Sequence, residues 1–290
     1  MNSPEAFPRD IFRKEGIRDE EREESVWTAR EQKILLHSLR ESLSVPLSIL
    51  DSVPFLPPET EAVLAYGSRA RGDYVEDSDL DLLALSTTGG VNLKSGKVSV
   101  AIYTLEELHR ARGSLFGYHL QRDSIRMYDP ERKLQTVVEK FGEVNVGRVF
   151  SKARHLGKIL SLNESDLQRY LPGLYREARY LLRSCLYAKA IEDGNPCFSV
   201  RILAERYGQP RYAEILSAHP RGGISRTDYL FCRQKLAELL GDLEQNEHGS
   251  LEALLVNEWG GESELISMAL MALGEVPDVG DYAEVKAVFL

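Results

Sequence analysis

Residues 67–85 read GSRARGDYVEDSDLDLLAL, and this stretch decides how the chain is interpreted. A Gly-Ser pair is followed by Asp79 and Asp81, which one leucine separates and which precede an apolar run. Alternate residues of a strand point to the same face, so the two carboxylates are predicted to lie side by side. Such a pair is costly to bury unless it binds a partner of opposite charge. The spacing therefore predicts a divalent-cation site on a strand.

The residues before the aspartates predict a phosphate site next to the cation. Mg²⁺, with Mn²⁺ as the alternative, is usually held by one or two carboxylates plus substrate phosphates. Gly67 allows a sharp turn, and Ser68 is predicted to start a short helix whose N–H groups and hydroxyl bind a phosphate. A nucleoside triphosphate (NTP) is therefore the predicted ligand, with attack at phosphorus. Arg69 and Arg71 are candidates to neutralise its charge, and solvated loop residues are the alternative.

The same stretch resembles the signature of the polymerase-β-like nucleotidyltransferase superfamily, in which a Gly-Ser after the first strand is followed, beyond a spacer, by Asp-x-Asp. Gly67, Ser68, Asp79 and Asp81 match this signature position by position. The GSRARG and DSDLDL segments are most similar to the minimal bacterial nucleotidyltransferases, and the resemblance covers about residues 62–103. It implies that Asp79 and Asp81 are the catalytic metal ligands and that Gly67 and Ser68 bind the triphosphate.

One position departs from this signature. Members of the superfamily usually carry a third carboxylate on the neighbouring strand, where it binds the catalytic metal and helps to deprotonate the acceptor hydroxyl. The matching strand, KVSVAIYT at residues 97–104, contains no acid, and Ser99 is predicted to occupy the position. Glu177 is a candidate replacement base, because related aminoglycoside enzymes place an acid in their helical domain. Three further acids are close in sequence: Glu106, Glu107 and Asp123.

The apolar patterns predict an α+β fold, with a small mixed-sheet nucleotidyltransferase domain at 26–135 and an all-helical domain at 136–290. The second domain is similar in layout to that of aminoglycoside nucleotidyltransferases, and to minimal nucleotidyltransferases paired with small helical proteins. Residues 1–25 are charged almost throughout and are predicted to be loosely ordered, with neither a signal peptide nor a membrane anchor. Strands are predicted at 62–66, 80–85, 98–103 and 124–129, and helices at 26–43, 104–112 and 114–120.

Composition and charge limit the predicted partners. No apolar run approaches the roughly 20 residues of a membrane span, so no membrane partner is expected. The three cysteines form no CxxC pair, which favours reduced thiols and a cytoplasmic location. Residues 148–189 carry nine Lys or Arg against three acids, which favours an RNA acceptor. Residues 237–290 carry twelve acids and one lysine, which favours a cationic small molecule. The sequence neither predicts nor excludes a homodimer.

The predicted function is the transfer of a nucleoside monophosphate from Mg-NTP to an acceptor hydroxyl, with release of pyrophosphate. The acceptor is a small molecule, a protein side chain or an RNA 3′ end. The alternative, suggested by the absent third acid, is a catalytically impaired nucleotide-binding protein with a regulatory or antitoxin-like role. An RNA-binding module with vestigial metal ligands is a third hypothesis, which predicts a steep salt dependence of RNA affinity.

Overall fold

The computed structural model describes residues 26–160, 163–217, 224–261, 263–274 and 290. The segment 1–25 lies outside the described residues, so its loose order stays a prediction. The first part of the described chain contains, in order, α1 (Ala29–Leu43), α2 (Leu47–Leu50), β1 (Thr60–Tyr66), α3 (Gly67–Arg71), β2 (Leu80–Ser86), β3 (Leu93–Ser95), β4 (Val98–Tyr103), α4 (Leu105–Arg110), α5 (Leu115–Asp123), β5 (Ile125–Tyr128) and α6 (Lys133–Val138). We call these elements the sheet region.

Helices alone make up the second part of the described chain, which we call the helical region. Its elements are α7 (Val146–Leu156), a 3₁₀ turn (Gly157–Ile159), α8 (Glu164–Glu192), α9 (Val200–Arg206), α10 (Arg211–Leu216), α11 (Arg226–Leu240), α12 (Leu251–Asn257) and α13 (Ser263–Leu273). The predicted α+β class, with a mixed sheet followed by helices, is confirmed. The exact domain boundary near residue 135 stays a prediction.

The described strands form one five-stranded sheet in the order β3-β4-β2-β1-β5. β2 and β4 are parallel, and every other neighbouring pair is antiparallel. The last strand lies at an edge of the sheet, because β5 pairs only with β1 among the described strands. The sequence patterns missed β3, which is three residues long and too short to show an alternation.

Alternation along the strands buries both faces of the sheet. On one face, Val63 and Leu82 pack with Leu35 and Leu39 of α1 in one apolar cluster. On the other face, strand residues pack in a second cluster with residues of α4, α5 and α6: Leu64, Leu83, Ala101, Leu108, Phe116, Leu120 and Val137. Asp81 is one residue from Leu82 and two from Leu83, so its side chain is on the second face.

The helical region is built around α8, a 29-residue helix. Helices α7, α11 and α13 pack against it and share with it one apolar cluster. Leu115 of α5 belongs to the same cluster, which joins the helical region to the sheet region. In the part of the chain that the structure describes, none of the helices combines the length and the apolar character needed to cross a bilayer.

The crossing of α8 and α13 gives a testable prediction about stability. A Cβ at Gly173 would overlap the carbonyl oxygen of Ala272, which is a backbone atom that cannot move unless the two helices separate. We expect Gly173→Ala to lower the free energy of unfolding by about 1–3 kcal/mol, measured by urea denaturation. The control is Gly147→Ala in α7, where the nearest atom is 3.5 Å from the added Cβ.

The control variant should be neutral or more stable by up to about 1 kcal/mol, because alanine is the better helix former. Equal changes in the unfolding free energy of the two variants would show that Gly173 is not needed for the close approach of α8 and α13.

Candidate active site

The two aspartates lie at the N-terminal end of β2. Asp79 immediately precedes the strand and Asp81 is its second residue, and both side chains are half-buried. Asp81 pairs with Tyr66 of β1 on one side and with Ser99 of β4 on the other. The structure therefore places Ser99 beside Asp81, on the neighbouring strand where a third acid was expected from the family signature.

Gly67 brings the backbone directly against the carboxylate of Asp81. It follows β1 without a linker and has a φ of +77°, a conformation that L side chains rarely adopt. A Cβ at this position would overlap Oδ2 of Asp81. Ser68, the next residue of α3, is half-buried. The turn predicted to bind phosphate thus lies in contact with the carboxylate predicted to bind the metal.

The loop that leads to Asp79 is held from two sides. Arg69 is only 4 % exposed, and its Nε and Nη2 donate to the carbonyl oxygen of Ser78 at 3.1 and 2.8 Å. Lys97 Nζ donates to the carbonyl oxygen of Glu76 at 3.2 Å and to a carboxylate oxygen of Asp77 at 3.0 Å. Arg69 therefore acts within the protein to position Asp79, and its predicted contact with phosphate stays a prediction.

Arg71 joins the sheet region to the helical region through a buried histidine. Its Nη1 donates to Nε2 of His119 at 3.0 Å, and its Nη2 lies 3.1 Å from a carboxylate oxygen of Asp73. Burial, and next the positive charge of Arg71, hold the pKa of His119 well below its usual value. The imidazole is therefore neutral, and its Nε2 accepts the hydrogen bond from Arg71. The ring of His119 stacks on the ring of Phe198, with centroids 4.5 Å apart.

A cavity of about 370 Å³ opens between α3 and the segment at 197–202. Arg71, Asp73 and Asp123 bring charge to its wall, and Phe198 brings an aromatic ring. Oδ2 of Asp123 is buried and accepts no hydrogen bond from the residues that the structure describes. Burial raises the pKa of this carboxyl, and the charge of Arg122 opposes the rise. Asp123 can therefore accept a hydrogen bond from a ligand in the cavity.

Glu177 lies in the interior of the helical region, on the stretch of α8 that packs against α13. It is 1 % exposed, and its Oε1 accepts a hydrogen bond from Arg176 Nε at 2.9 Å. Arg176 also donates to the carbonyl oxygen of Met271 in α13. None of the contacts recorded for the described residues joins Glu177 to Asp79 or Asp81. Its predicted role as a base receives no support from these contacts and stays a prediction.

Of the other candidate bases, Glu107 has a partner of its own. Oε2 of Glu107 accepts from the backbone N–H of Thr104 at 2.7 Å, in the capping box that starts α4. Glu106 lies in the first turn of the same helix and is exposed. Within the described residues, no group of three or more His, Cys, Asp or Glu could hold a metal ion. The carboxylates of Asp79 and Asp81 fit one hard cation whose other ligands are phosphate oxygens and water.

Residues 48–112 match the family model of the nucleotidyltransferase domain. The chain carries a nucleotidyltransferase domain of the polymerase-β-like superfamily. The matched residues include Gly67, Ser68, both aspartates and Ser99, so the resemblance seen in the sequence is confirmed at the level of the family. The nucleotidyltransferase domain also contains α3, β2 and β4, whose ends form the site described above.

Two further comparisons complete this result. No curated protein matches the chain. Among solved structures, the chain is similar to a nucleotidyltransferase-like protein from Exiguobacterium sibiricum 255-15, with 12 % identity, 84 % of this chain and 88 % of that chain covered, and a TM-score of 0.29. That score is too low to carry an argument about the nucleotidyltransferase domain or its site.

Sequence reasoning missed two residues of the site, Lys97 and Asp73. Asp73 lies in the loop between α3 and β2 and pairs with Arg71, and Lys97 holds the same loop through Glu76, a partner known only once the loop is placed in space. The position of Lys97 could have been noticed in the sequence, because Lys97 directly precedes β4, the strand that pairs with β2.

The contact between Gly67 and Asp81 predicts that alanine substitutions at the two ends of α3 have different effects on binding. Gly67 and Gly72 have φ values of +77° and +79°, but a Cβ at Gly72 meets no atom within 4 Å. Alanine at either position should cost roughly 1–2 kcal/mol of stability through backbone strain. Only Gly67→Ala should also displace Asp81 and abolish Mn²⁺-dependent nucleotide binding, measured by calorimetry. Equal loss of binding in both variants would contradict the specific role of the Gly67 contact.

The burial of Glu177 predicts a pH dependence of stability. Burial raises the pKa of its carboxyl to about 7, although the bond from Arg176 opposes the rise. Between about pH 4.5 and 7 the folded protein holds a proton that the unfolded chain releases, so stability falls as the pH rises through this window. The fall attributable to Glu177 is about 3 kcal/mol, and Glu177→Gln should remove it.

The measurement is the free energy of unfolding in urea at several pH values. Glu205→Gln, a change of an exposed acid on α9, is the control and should keep the wild-type pH dependence. If Glu177→Gln and Glu205→Gln give the same pH profile, the folded protein does not hold a proton on Glu177.

Proposed function

We propose that the chain transfers a nucleoside monophosphate from an NTP to an acceptor hydroxyl. The acceptor oxygen forms a bond to the α-phosphorus, the bond from that phosphorus to the bridging oxygen breaks, pyrophosphate leaves, and the hydroxyl proton passes to solvent. The observation that carries the proposal is the contact between Gly67 and the carboxylate of Asp81 at the end of β2. It supports a triphosphate and a divalent cation bound side by side.

The proposed roles follow from the positions of the side chains. Asp79 and Asp81 hold Mg²⁺, or Mn²⁺ in its place, which when bound neutralises phosphate charge and polarises the phosphoryl group. Gly67 and Ser68 bind the triphosphate through the turn that opens α3. Of the two arginines, Arg71 lines the cavity and Arg69 does not, so Arg71 is the one better placed to meet a ligand.

The cavity beside Arg71 is the proposed place for the acceptor. It lies between the sheet region and the helical region, and clefts of this kind are common binding sites. The carboxylate of Asp123 and the ring of Phe198 suit an acceptor that has both a hydrogen-bond donor and an apolar surface. Small molecules, protein side chains and RNA ends all include such groups. The three described cysteines are free and buried, which favours a reducing compartment such as the cytoplasm.

One observation favours a second candidate function. Ser99 lies beside Asp81, and among the described residues no third acid is grouped with the two aspartates. A protein that binds the nucleotide without turning it over, and acts as a regulatory or antitoxin-like partner, would keep the phosphate turn and need no base. Both candidate functions require nucleotide binding. They differ in whether the nucleoside monophosphate is transferred from the NTP to an acceptor.

The test is transfer of label from each α-³²P-labelled NTP with Mg²⁺, in the presence of small RNA, total protein or a panel of cationic small molecules. We expect Asp79→Asn and Asp81→Asn to reduce transfer by about 100-fold or more, because either change removes a metal ligand. The control is Glu76→Gln, which alters an exposed acid in the same loop.

Each outcome distinguishes the hypotheses. Transfer that survives in both aspartate variants would refute the assigned metal ligands. Binding of NTP that depends on both aspartates, without transfer to any acceptor, would favour the non-catalytic protein. A chain that binds none of the four NTPs would refute both candidates.

A further inference from the structure

A lysine stands in the same row of the sheet as the candidate metal ligand. Ser99 of β4 pairs with Asp81 on one side and with Lys94 of β3 on the other. With Tyr66, the partner of Asp81 on β1, these residues form one row across four strands. Residues directly opposite one another in a sheet share a face, so the side chains of Asp81, Ser99 and Lys94 point to the same side.

The packing of Leu93 shows which face of the sheet these side chains share. Leu93, the neighbour of Lys94, packs against the apolar cluster on the α1 face of the sheet. Alternation then puts Lys94 on the opposite face, which is the face of Leu83 and Ala101 and hence of Asp81. Two independent observations, the register of the ladder and the packing of Leu93, give the same answer.

The spacing allows the ammonium of Lys94 to reach the nucleotide site. Two strand spacings separate the Cα atoms of Lys94 and Asp81 by about 10 Å. The residue between them is Ser99, whose side chain is small, and the four-carbon stem of a lysine can extend across it.

Lys94 also differs from the other lysine of this edge. Lys97 is bonded to Asp77 and to the carbonyl oxygen of Glu76. Lys94 is exposed, and among the described residues it has neither an ion pair nor a hydrogen-bond partner. Its charge is therefore free to act on a ligand.

We propose that Lys94 supplies the positive charge that a second divalent ion would supply in a site with three carboxylates. The site then holds one divalent ion on Asp79 and Asp81, and the Lys94 ammonium binds a non-bridging phosphate oxygen of the triphosphate on the Ser99 side. This inference rests on the proposed function. Two carboxylates and a serine hydroxyl are too few charged ligands to hold two divalent ions. The Lys94 ammonium then neutralises the part of the phosphate charge that a second ion would neutralise.

The experiment counts bound ions. The full chain is titrated with Mn²⁺ in the presence of the α,β-methylene analogue of ATP, GTP, CTP or UTP, and free Mn²⁺ is followed by electron paramagnetic resonance. The wild type should bind one Mn²⁺ per bound nucleotide. Lys94→Met should weaken nucleotide binding about tenfold, the size of one charge-assisted hydrogen bond, and leave the ion count at one. Lys33→Met, an exposed lysine of α1, is the control and should bind like the wild type.

A variant that adds a third carboxylate provides the reverse test. Ser99→Asp restores a third carboxylate and should raise the count to two Mn²⁺ per nucleotide, and in this background Lys94→Met should cost less than twofold in affinity. Two Mn²⁺ in the wild type, one Mn²⁺ in Ser99→Asp, or an affinity of Lys94→Met equal to that of Lys33→Met would each overturn the role of Lys94. Failure of all four analogues to bind would refute the proposed function itself.

Discussion

The close approach of the Gly67 backbone to the carboxylate of Asp81 is the constraint on which the candidate site depends. It arises because β1 and β2 are antiparallel neighbours and α3 starts at the residue that directly follows β1, which leaves no room for a Cβ between Gly67 and Asp81. The same geometry puts a helix start and a carboxylate pair at one end of the sheet. Arg69 and Lys97 then hold the intervening loop by bonds to its backbone, which position Asp79 relative to Asp81.

The helical region completes the site from the other side. Arg71 is one turn away from Gly67 along α3, and its bond to His119 reaches a ring that stacks on Phe198. Because His119 is neutral, this contact adds no charge repulsion to the buried arginine. The cavity lies where these groups meet, so its shape depends on the packing of the two regions and not on either one alone.

The serine beside Asp81 is the feature that separates residues 48–112 from the signature of the polymerase-β-like superfamily. Glu177, the acid expected to compensate, has a carboxyl that is buried where α8 packs against α13 and bonded to Arg176, and its role as a base stays a prediction. Compensation by charge from Lys94, instead of by a carboxylate, would change what the site binds: fewer metal ions and more direct contact between protein and phosphate. Whether transfer follows binding is then a question about the acceptor and its proton.

Local patterns in the sequence determined most of the strands and helices that carry the site, and the Gly-Ser and Asp-x-Asp motifs, because each depends on neighbours within a few residues. The position of Ser99 was implied by the resemblance to the superfamily signature, and the register of β2 and β4 puts it opposite Asp81. Tertiary structure alone decided the three-residue strand β3, the internal use of Arg69, the burial of Glu177 and the row that joins Lys94 to Asp81. The physical reason is that pairing across strands and packing between helices depend on residues far apart in the chain, and no local periodicity encodes those partners.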